Sequence, residues 1–584
     1  MFTESKKLAG RIEMTTVFNA AEASQLPKTS GAGKLRMEKG VYILNLEGTY
    51  AEMGAQMGDL SHGIIDDYMI HYFYTLTEKL VAHSAVSRVS RILPSYVSNM
   101  IYKIFLKRSL GKLDVRLRDF IVAMSERLGT DSTKSLSALY FADILHYLAG
   151  KSFVPMAPQC SAFFSNGAAT QEGKIVMGRN FDFYGRNSWN SLPAITVMKP
   201  LSRIPFMWLG ALGLPFGGMG INREGIAVCP FSNFTSDICT SGRPIIQLCY
   251  DIMDSAKSLD DAEQIVRTGR RLVGLSFMVV DTKNRDARVV GFSANNVEAV
   301  DPEDDFLIRT NHYVTEPMKK MEVSPRAVRR HTYARFSRLE QLIRENYGSI
   351  TPQMATSFMS DVYDPFEGRR RVVGDILAAS NNAMSMIFSP DDGEVFMATG
   401  DFPVANADTY FGFSIDSLFD GAPEAGAGDL DGGHQLNETE KQAVFHFEEA
   451  WSEYFDRMND DMALYHLRRA ADLLPDEPIF HRMAGTLLLT RGKFQDARRH
   501  FEINAAPEYR DKGVRSEALL WAGRANDLCG DRDRAISYYN RVMEINDPEI
   551  NAAARKGLVR PFKKTELLTI EVEFIIGGPI AKYA

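Results

Sequence analysis

The chain has 584 residues, too many for one hydrophobic core, and calls for two to four domains. Its 45% hydrophobic and 24% charged content is that of a soluble globular protein; 67 Lys+Arg against 74 Asp+Glu leave a net charge of −7, so no basic excess supports nucleic-acid binding. The five cysteines (Cys160, Cys229, Cys239, Cys249, Cys529) are odd in number, widely spread and free of CxxC spacing, which argues against a disulfide framework and a zinc site. Neither a metal nor a cofactor is expected. The first residues, MFTESKKLAGRIEMTTVF, lack the apolar stretch of a secretory signal, and no apolar run reaches ~18 residues. A cytoplasmic protein without a transmembrane helix is the expectation.

In chain order, the first forty residues are polar and weakly patterned, which predicts a loosely held arm. Val41–Leu46 predicts a strand, and helical periodicity follows over about 50–80, 94–110, 113–128 and 133–150. From Cys160 the period shifts towards two: Ser161–Ser165 and Lys174–Gly178 predict strands joined by a turn at Asn166-Gly167. Further strands are predicted at Ile195–Lys199, Ile226–Cys229, Leu275–Asp281, Ala287–Ser293 and Phe306–Arg309, with helices at about 244–255, 259–268 and 328–347. Met384–Phe388 and Glu394–Met397 flank Pro390-Asp391-Asp392-Gly393 and predict a hairpin.

Ala422–His434 is rich in Gly, Ala and Asp and is expected to be a linker. Beyond it Ala463, Ala497 and Ala535 recur, each followed four residues on by Leu467, Phe501 or Tyr539, and Gly485 and Gly523 precede the last two. Small residues where two helices pack closest, with an aromatic filling the gap, predict three tetratricopeptide-like repeats over about 438–556. A bundle of irregular helices is the plainer alternative. The stretch 567–576 is β-like.

The chemistry centres on Cys160 and on Gly178-Arg179-Asn180-Phe181-Asp182-Phe183. No histidine lies between Cys160 and Asp182 to serve as a local base, and a thiol needs a base or a cation to become a nucleophile at neutral pH. If the cysteine becomes a chain terminus, its own α-amino group, with a pKa of roughly 8, fills that role. The plain alternatives are a small buried hydrophobe for Cys160 and a structural ion pair for Arg179 and Asp182. Residues 179 and 182 point to opposite faces of a regular strand, so a common site requires a break near Phe181.

Separated motifs carry a resemblance. Gly48-Thr49-Tyr50-Ala51-Glu52-Met53-Gly54, Cys160, Gly178–Phe183, Gly220-Ile221-Asn222-Arg223-Glu224-Gly225-Ile226, Thr310-Asn311-His312-Tyr313 and Ala334-Arg335-Phe336-Ser337-Arg338 follow one another within residues 41 to about 415. In that order they resemble the N-terminal-nucleophile (Ntn) hydrolases of the choloylglycine hydrolase and acyl-CoA:6-aminopenicillanate acyltransferase type. The resemblance implies an α+β, four-layer αββα fold, with 1–159 as an arm and helical propeptide, 160–421 as the catalytic domain, 422–437 as linker, 438–556 as repeats and 557–584 as tail.

It also implies cleavage of the Gln159–Cys160 bond and hydrolysis or acyl transfer at a linear amide through a thioester on Cys160. Arg179 and Asp182 match the family's active-site arginine and aspartate. Asn311 matches an oxyanion donor, a role worth about 3 kcal/mol in comparable sites; the second donor falls on Ser232 or Asn233, Asn233 being the better amide. Arg335 matches a supporting arginine, although its basic stretch also suits a solvated helix face. The expected partners are a small N-acyl amide or acyl donor and, through the repeats, a protein. Phe163, Phe181, Phe183, Tyr184, Trp208 and Phe216 are candidates for an acyl pocket. Two other readings stay open: an inactive scaffold whose repeats do the work, and an uncleaved thiol enzyme using His312.

Overall fold

The structure, a computed structural model, describes residues 26–65, 68–83, 93–151, 158–185, 189–214, 216–422, 427–507, 509–569, 571–573 and 578–580. Strands β1 (Lys28–Ser30), β2 (Gly33–Glu38) and β3 (Val41–Gly48) precede six helices: α1 (Tyr50–Ser61), α2 (Tyr68–His83), α3 (Pro94–Ser109), α4 (Val115–Leu128), α5 (Ser132–Leu139) and α6 (Phe141–Lys151). Next come β4 (Gln159–Ser165), β5 (Val176–Asp182), β6 (Pro193–Pro200), β7 (Phe206–Ala211), β8 (Gly217–Asn222) and β9 (Ile226–Ser232), then α7 (Ile245–Ser255) and α8 (Leu259–Arg267). After β10 (Leu275–Asp281), β11 (Asp286–Phe292), β12 (Val297–Val300) and β13 (Phe306–Arg309) lie α9 (Glu316–Lys319), α10 (Arg326–Glu345) and α11 (Pro352–Met359). The short pair β14 (Tyr363–Asp364) and β15 (Arg369–Arg370) leads to β16 (Asn382–Ser389), β17 (Glu394–Ala398), β18 (Thr409–Ser414), α12 (Ile415–Asp420) and β19 (Leu430–Asp431).

Among the described residues, the strands build two large sheets: a ten-stranded one, β1-β2-β3-β6-β7-β8-β9-β10-β11-β12, and a seven-stranded one, β13-β4-β5-β16-β17-β18-β19. The inner faces meet where β4 and β5 lie against β9 and β8. Helices α10 and α11 pack on the other side of the seven-stranded sheet; α1, α7 and α8 pack against the ten-stranded one. This is a mixed α+β architecture. The chain before Cys160 is built into it, because β3 pairs in parallel with β6 over seven positions, Tyr42 with Ala194 through Gly48 with Pro200. Residues 28–38, expected as loose arm, are instead strands: β2 buries Leu35 and covers the edge that β3 would otherwise leave unpaired.

The Gly48–Gly54 motif explains itself locally. Thr49 caps α1 and Glu52 returns the bond to the Thr49 amide, a reciprocal capping box. At Gly54 a Cβ would stand 2.1 Å from the Phe120 carbonyl oxygen, so α1 and α4 cross this closely only with glycine there. The single helix expected over 133–150 is two, divided at Tyr140. The break aims Leu136 and Leu139 at the outer core and Phe141 and Leu145 at the inner core, between the sheets. The predicted hairpin is β16–β17, turned at Gly393 with φ +71. Part of the expected linker is the edge strand β19, paired with β18.

The C-terminal part is helical: α13 (Glu438–Trp451), α14 (Asp460–Leu473), α15 (Pro478–Thr490), α16 (Phe494–Ala505), α17 (Lys512–Leu528), α18 (Arg532–Ile545) and α19 (Pro548–Val559) pack each against the next. The expected small-against-aromatic contacts occur: Gly485 faces the Phe501 ring and Gly523 the Tyr539 ring, where an added Cβ would stand 3.0 and 2.6 Å away. Ala463, Ala497 and Ala535 are fully buried. In the tail, β20 (Glu571–Glu573) pairs with β21 (Gly578–Ile580). No helix among the described residues is long and apolar enough to cross a membrane.

Candidate active site

Strand β4 is buried along its whole length, so both of its faces line protein interior. It pairs with β5 so that Cys160 stands opposite Phe181 and Ala162 opposite Arg179. Alternation then puts the Cys160 and Arg179 side chains on one face, towards the ten-stranded sheet, and Gln159, Asn180 and Asp182 on the other. The hydrogen bonds agree: Arg179 Nη2 donates to Pro230 O (2.7 Å) and its Nε to Gly218 O (3.3 Å), in β9 and β8. Asn180 Nδ2 donates to Met359 O (2.8 Å), at the end of α11. The break expected near Phe181 does not occur, because β5 runs regularly to Asp182; the irregularity is in β16, where the register shifts between Asn382 and Met384.

On the inter-sheet face, Arg179 Nη2 lies 3.2 Å from Cys160 Sγ, and its guanidinium stacks 4.3 Å over the Phe231 ring. Burial pushes the thiol above its ordinary range; Arg179 opposes that push, and Asp182 adds to it. The thiol therefore holds its proton at neutral pH and needs an acceptor to react.

On the α10 face, a polar cluster surrounds the peptide unit of Cys160. The Cys160 amide donates to Asn311 Oδ1 at 2.6 Å. Arg335 binds the Cys160 carbonyl oxygen, Ser161 Oγ (2.8 Å), Gln159 Oε1 (2.5 Å) and Asn311 Oδ1 (3.0 Å). Arg335 is fully buried, and burial pulls its guanidinium down to about 10. Of the two readings of its basic helix, the solvated face does not apply at this position. Asp182, also fully buried, is pushed up to about 6 by burial, against the pull of Arg335, an Asn382 hydrogen bond and Arg179. Asn382 Nδ2 donates to Asp182 Oδ1 (2.8 Å) while its own Oδ1 accepts from the Ala405 amide (2.8 Å). The sequence reading missed Asn382; the only signal for it was its place at the mouth of the predicted hairpin.

The two candidate oxyanion residues differ. Asn311 follows β13, and its Nδ2 donates to Ser232 O at 3.1 Å. Asn233 Oδ1 accepts from Ser276 Oγ (2.9 Å), whereas its buried Nδ2 has no hydrogen-bond partner among the described residues. Ser232 lines the cavity beside Cys160. His312 does not face the thiol: its Nδ1 contacts Thr310 Oγ1 (3.2 Å) and Thr332 Oγ1 (3.1 Å), and its ring packs on Tyr333 and Phe336.

Cys160 lies in the wall of an apolar cavity of ≈ 90 Å³. Of the expected lining residues, Phe181, Phe183 and Phe216 are there. The others are elsewhere: Phe163 packs on Phe358, Tyr184 on Trp451, and Trp208 in the outer core. The sequence reading missed Trp189 and, from the helices before Cys160, Phe73, Phe141 and His146. His146 Nδ1 contacts Ala142 O at 2.7 Å; its Nε2 is buried without a partner among the described residues, and burial pulls the imidazole down to about 4.

Among the described residues, metal-type donors gather at Glu449, Glu453 and His466, in the C-terminal helices and not around Cys160. There Arg457 Nη1 already bonds both carboxylates, at 3.3 and 2.8 Å.

Residues 168–402 match the sequence model of the family described as acyl-coenzyme A:6-aminopenicillanic acid acyl-transferase. The matched span holds Arg179, Asp182, Asn233, Asn311 and Arg335 and begins eight residues after Cys160. No curated protein matches the chain. Three solved structures are similar to parts of it. A variant of conjugated bile acid hydrolase from Clostridium perfringens is 10% identical, with 47% of this chain and 99% of that one covered and a TM-score of 0.32. The Caenorhabditis elegans ortholog of N-acylethanolamine-hydrolyzing acid amidase is 15% identical, with 40% and 93% covered and a TM-score of 0.28. The N-terminal domain of stress-induced protein-1 from C. elegans is 18% identical, with 21% and 100% covered and a TM-score of 0.19.

Proposed function

We propose that the chain is a cysteine Ntn amidase or acyltransferase that cuts its own Gln159–Cys160 bond and then acts on linear N-acyl amides. The observation that carries this reading is the division at Cys160: sulfur on Arg179 and an apolar cavity, backbone nitrogen on Asn311 and a polar cluster. The family match over 168–402 agrees with it. In this reading the helix–sheet–sheet–helix stacking is the four-layer Ntn arrangement and the C-terminal helices are tetratricopeptide-type repeats.

The chemistry runs in two stages. Cys160 Sγ attacks the Gln159 carbonyl carbon, the C–N bond breaks, the departing nitrogen takes a proton, and a thioester joins Gln159 to the sulfur. Water then hydrolyses the thioester, leaving a Gln159 carboxylate and a free Cys160 amine. That amine accepts the thiol proton when sulfur attacks a substrate amide. The acyl chain occupies the cavity lined by Phe181, Phe183 and Trp189, and water or a second amine resolves the acyl-enzyme.

Intact-mass measurement of the purified full chain is the test. The expected products are 159 and 425 residues long (584 − 159 = 425), and Cys160→Ala stays whole and inert. An uncut wild-type chain that hydrolyses N-acyl amides overturns the mechanism. A second reading, a thiol with an imidazole base, is favoured by His146, whose free Nε2 borders the same cavity. Under that reading His146→Gln abolishes activity in an uncut chain; under the proposed one, cleavage survives His146→Gln.

A further inference from the structure

The basic stretch of α10 has a use at each end. Its buried Arg335 reaches Cys160, and its first turns bear on the helical repeats. Arg326 grips Asp547 with two bonds, Nη1 to Oδ1 at 3.0 Å and Nη2 to Oδ2 at 2.7 Å, both side chains being about nine-tenths buried (11% and 9% exposed). Arg330 Nη1 meets Asp511 Oδ1 at 3.0 Å.

These carboxylates recur with the repeats. Asp511 caps α17 and Asp547 caps α19, each accepting a helical amide as well as its arginine. One repeat earlier Glu477 caps α15 and binds Arg371, whose Nη1 also meets Asp364 (2.8 Å). Positions 477, 511 and 547 are spaced by 34 and 36 residues, the repeat period. A fourth contact joins Arg370 to Glu440, in the capping box of α13. So the start of every second helix in the array presents a carboxylate to the catalytic part of the same chain. Gly513, in the first turn of α17, fits this contact: a Cβ there would stand 2.4 Å from Arg326 Nη2 and 2.9 Å from Arg330 Nη1.

We propose that the repeats are the mount of Arg335, with Asp511 and Asp547 as positioning residues that fix α10 through Arg330 and Arg326. Arg335 follows Arg330 by five residues, roughly 7.5 Å along a rigid helix, so a shift of the first turns is passed directly to its guanidinium. The helix-start face of the array is engaged by the protein's own catalytic part, and a protein partner, if any, has to use another face. The activity side of this proposal rests on the Cys160 reading; its geometric side does not.

The test uses the full chain with Asp511→Asn and Asp547→Asn, singly and together, since asparagine keeps the helix cap while removing the charge. Glu440→Gln is the control, removing a contact that does not involve α10. Three quantities are read: cleavage at Gln159–Cys160, the pH profile of Cys160 alkylation by iodoacetamide located by peptide mapping, and thermal midpoint. The double variant is expected to slow cleavage at least about tenfold, since misplacing a positioned group by about an ångström costs up to about a hundredfold. It also moves the alkylation profile to higher pH, while Glu440→Gln changes neither. Arg330→Lys should restore more of both than Arg330→Gln.

Where the double variant does not fold, each single variant and Gly513→Ala, which wedges the arginines apart without removing a charge, carry the same expectation. Cleavage and alkylation within about twofold of wild type in a folded Asp511/Asp547 variant overturn the proposal, as does an equal effect from Glu440→Gln. If the wild-type chain is never cut, the Ntn reading fails while the alkylation profile still reports whether the repeats hold Arg335.

Discussion

The two faces of strand β4 share out its seven residues alternately and have opposite characters. The face towards the ten-stranded sheet carries Sγ, bordered by an apolar cavity lined with aromatic rings and, beside it, by the Arg179 guanidinium. The face towards α10 carries Gln159, Asp182 and Arg335 in a dense polar cluster that reaches the Cys160 backbone. Under the proposed function, the difference teaches how one residue could be both the thing cut and the thing that cuts. The sulfur meets Arg179 while the peptide nitrogen of the same residue donates to Asn311, so the two atoms have different neighbours.

The comparison is broken most severely at its centre. Cys160→Ala removes the sulfur and keeps the strand, so cleavage and amide hydrolysis are both expected to vanish, by mass and by acid release. Next come the two arginines, one per face. Arg179→Gln removes the cation beside the thiol, and loss of about 10²–10³ in turnover is expected, as for loss of one preorganised electrostatic donor. Its signature is a Cys160 alkylation profile moved to higher pH. Arg335→Gln acts first on cleavage, because it releases Gln159, Asn311 and the Cys160 carbonyl together. Equal effects of both variants on both readouts would show that the faces are not separate.

Asp182 gives a smaller and pH-dependent effect. Folding lifts its carboxyl from the unfolded value of about 3.9 to about 6, so the native state binds an extra proton between those values. Stability from this group is therefore greatest below about pH 4 and is lost as pH rises through about 6. Amide hydrolysis by the cleaved chain is expected to have the opposite slope and to rise through pH 6, because the ionised carboxylate is the form that holds the freed Cys160 amine. Asp182→Asn should flatten both limbs, in thermal midpoints and in amide-hydrolysis rates of the cleaved chain from pH 4 to 8.

Much of this division was legible in the sequence, and the omissions have a common cause. Cys160, Arg179, Asp182, Asn311 and Arg335 converge, and the change of period at Cys160 marks the start of β4. Local pattern also found the β16–β17 hairpin and the Gly485–Phe501 and Gly523–Tyr539 contacts. What it could not find was assembled by long-range packing: Phe73, Phe141 and His146 enter the cavity from helices that lie before Cys160, and Asn382 meets Asp182 across 200 residues. The break expected near Phe181 has no counterpart in β5, and the irregularity falls in β16, for the same reason. A strand's own residues fix its parity, but its partner's register decides which of the two absorbs an irregularity.

His312 gives the smallest expected effect and separates support from chemistry. It stands next to Asn311, where a catalytic base would be looked for, yet its Nδ1 contacts Thr310 and Thr332 hydroxyls. Thr332 Oγ1 in turn accepts the Asn311 amide at 2.7 Å, so the imidazole steadies the loop that carries Asn311. Burial pulls the ring down to about 2, with Arg309, Arg335 and Lys319 adding to the pull, so it stays neutral across the working range and lends no pH dependence. His312→Gln removes a buried hydrogen bond worth about 1 kcal/mol and preserves much of the volume, and the thermal midpoint should drop by about one degree. Cleavage should stay within about tenfold, the factor that about 1.4 kcal/mol represents, with an unchanged pH profile. A loss comparable with that of Cys160→Ala, or a pH limb that disappears in the variant, would assign the base to this ring and overturn the proposal that the chain's own amine serves.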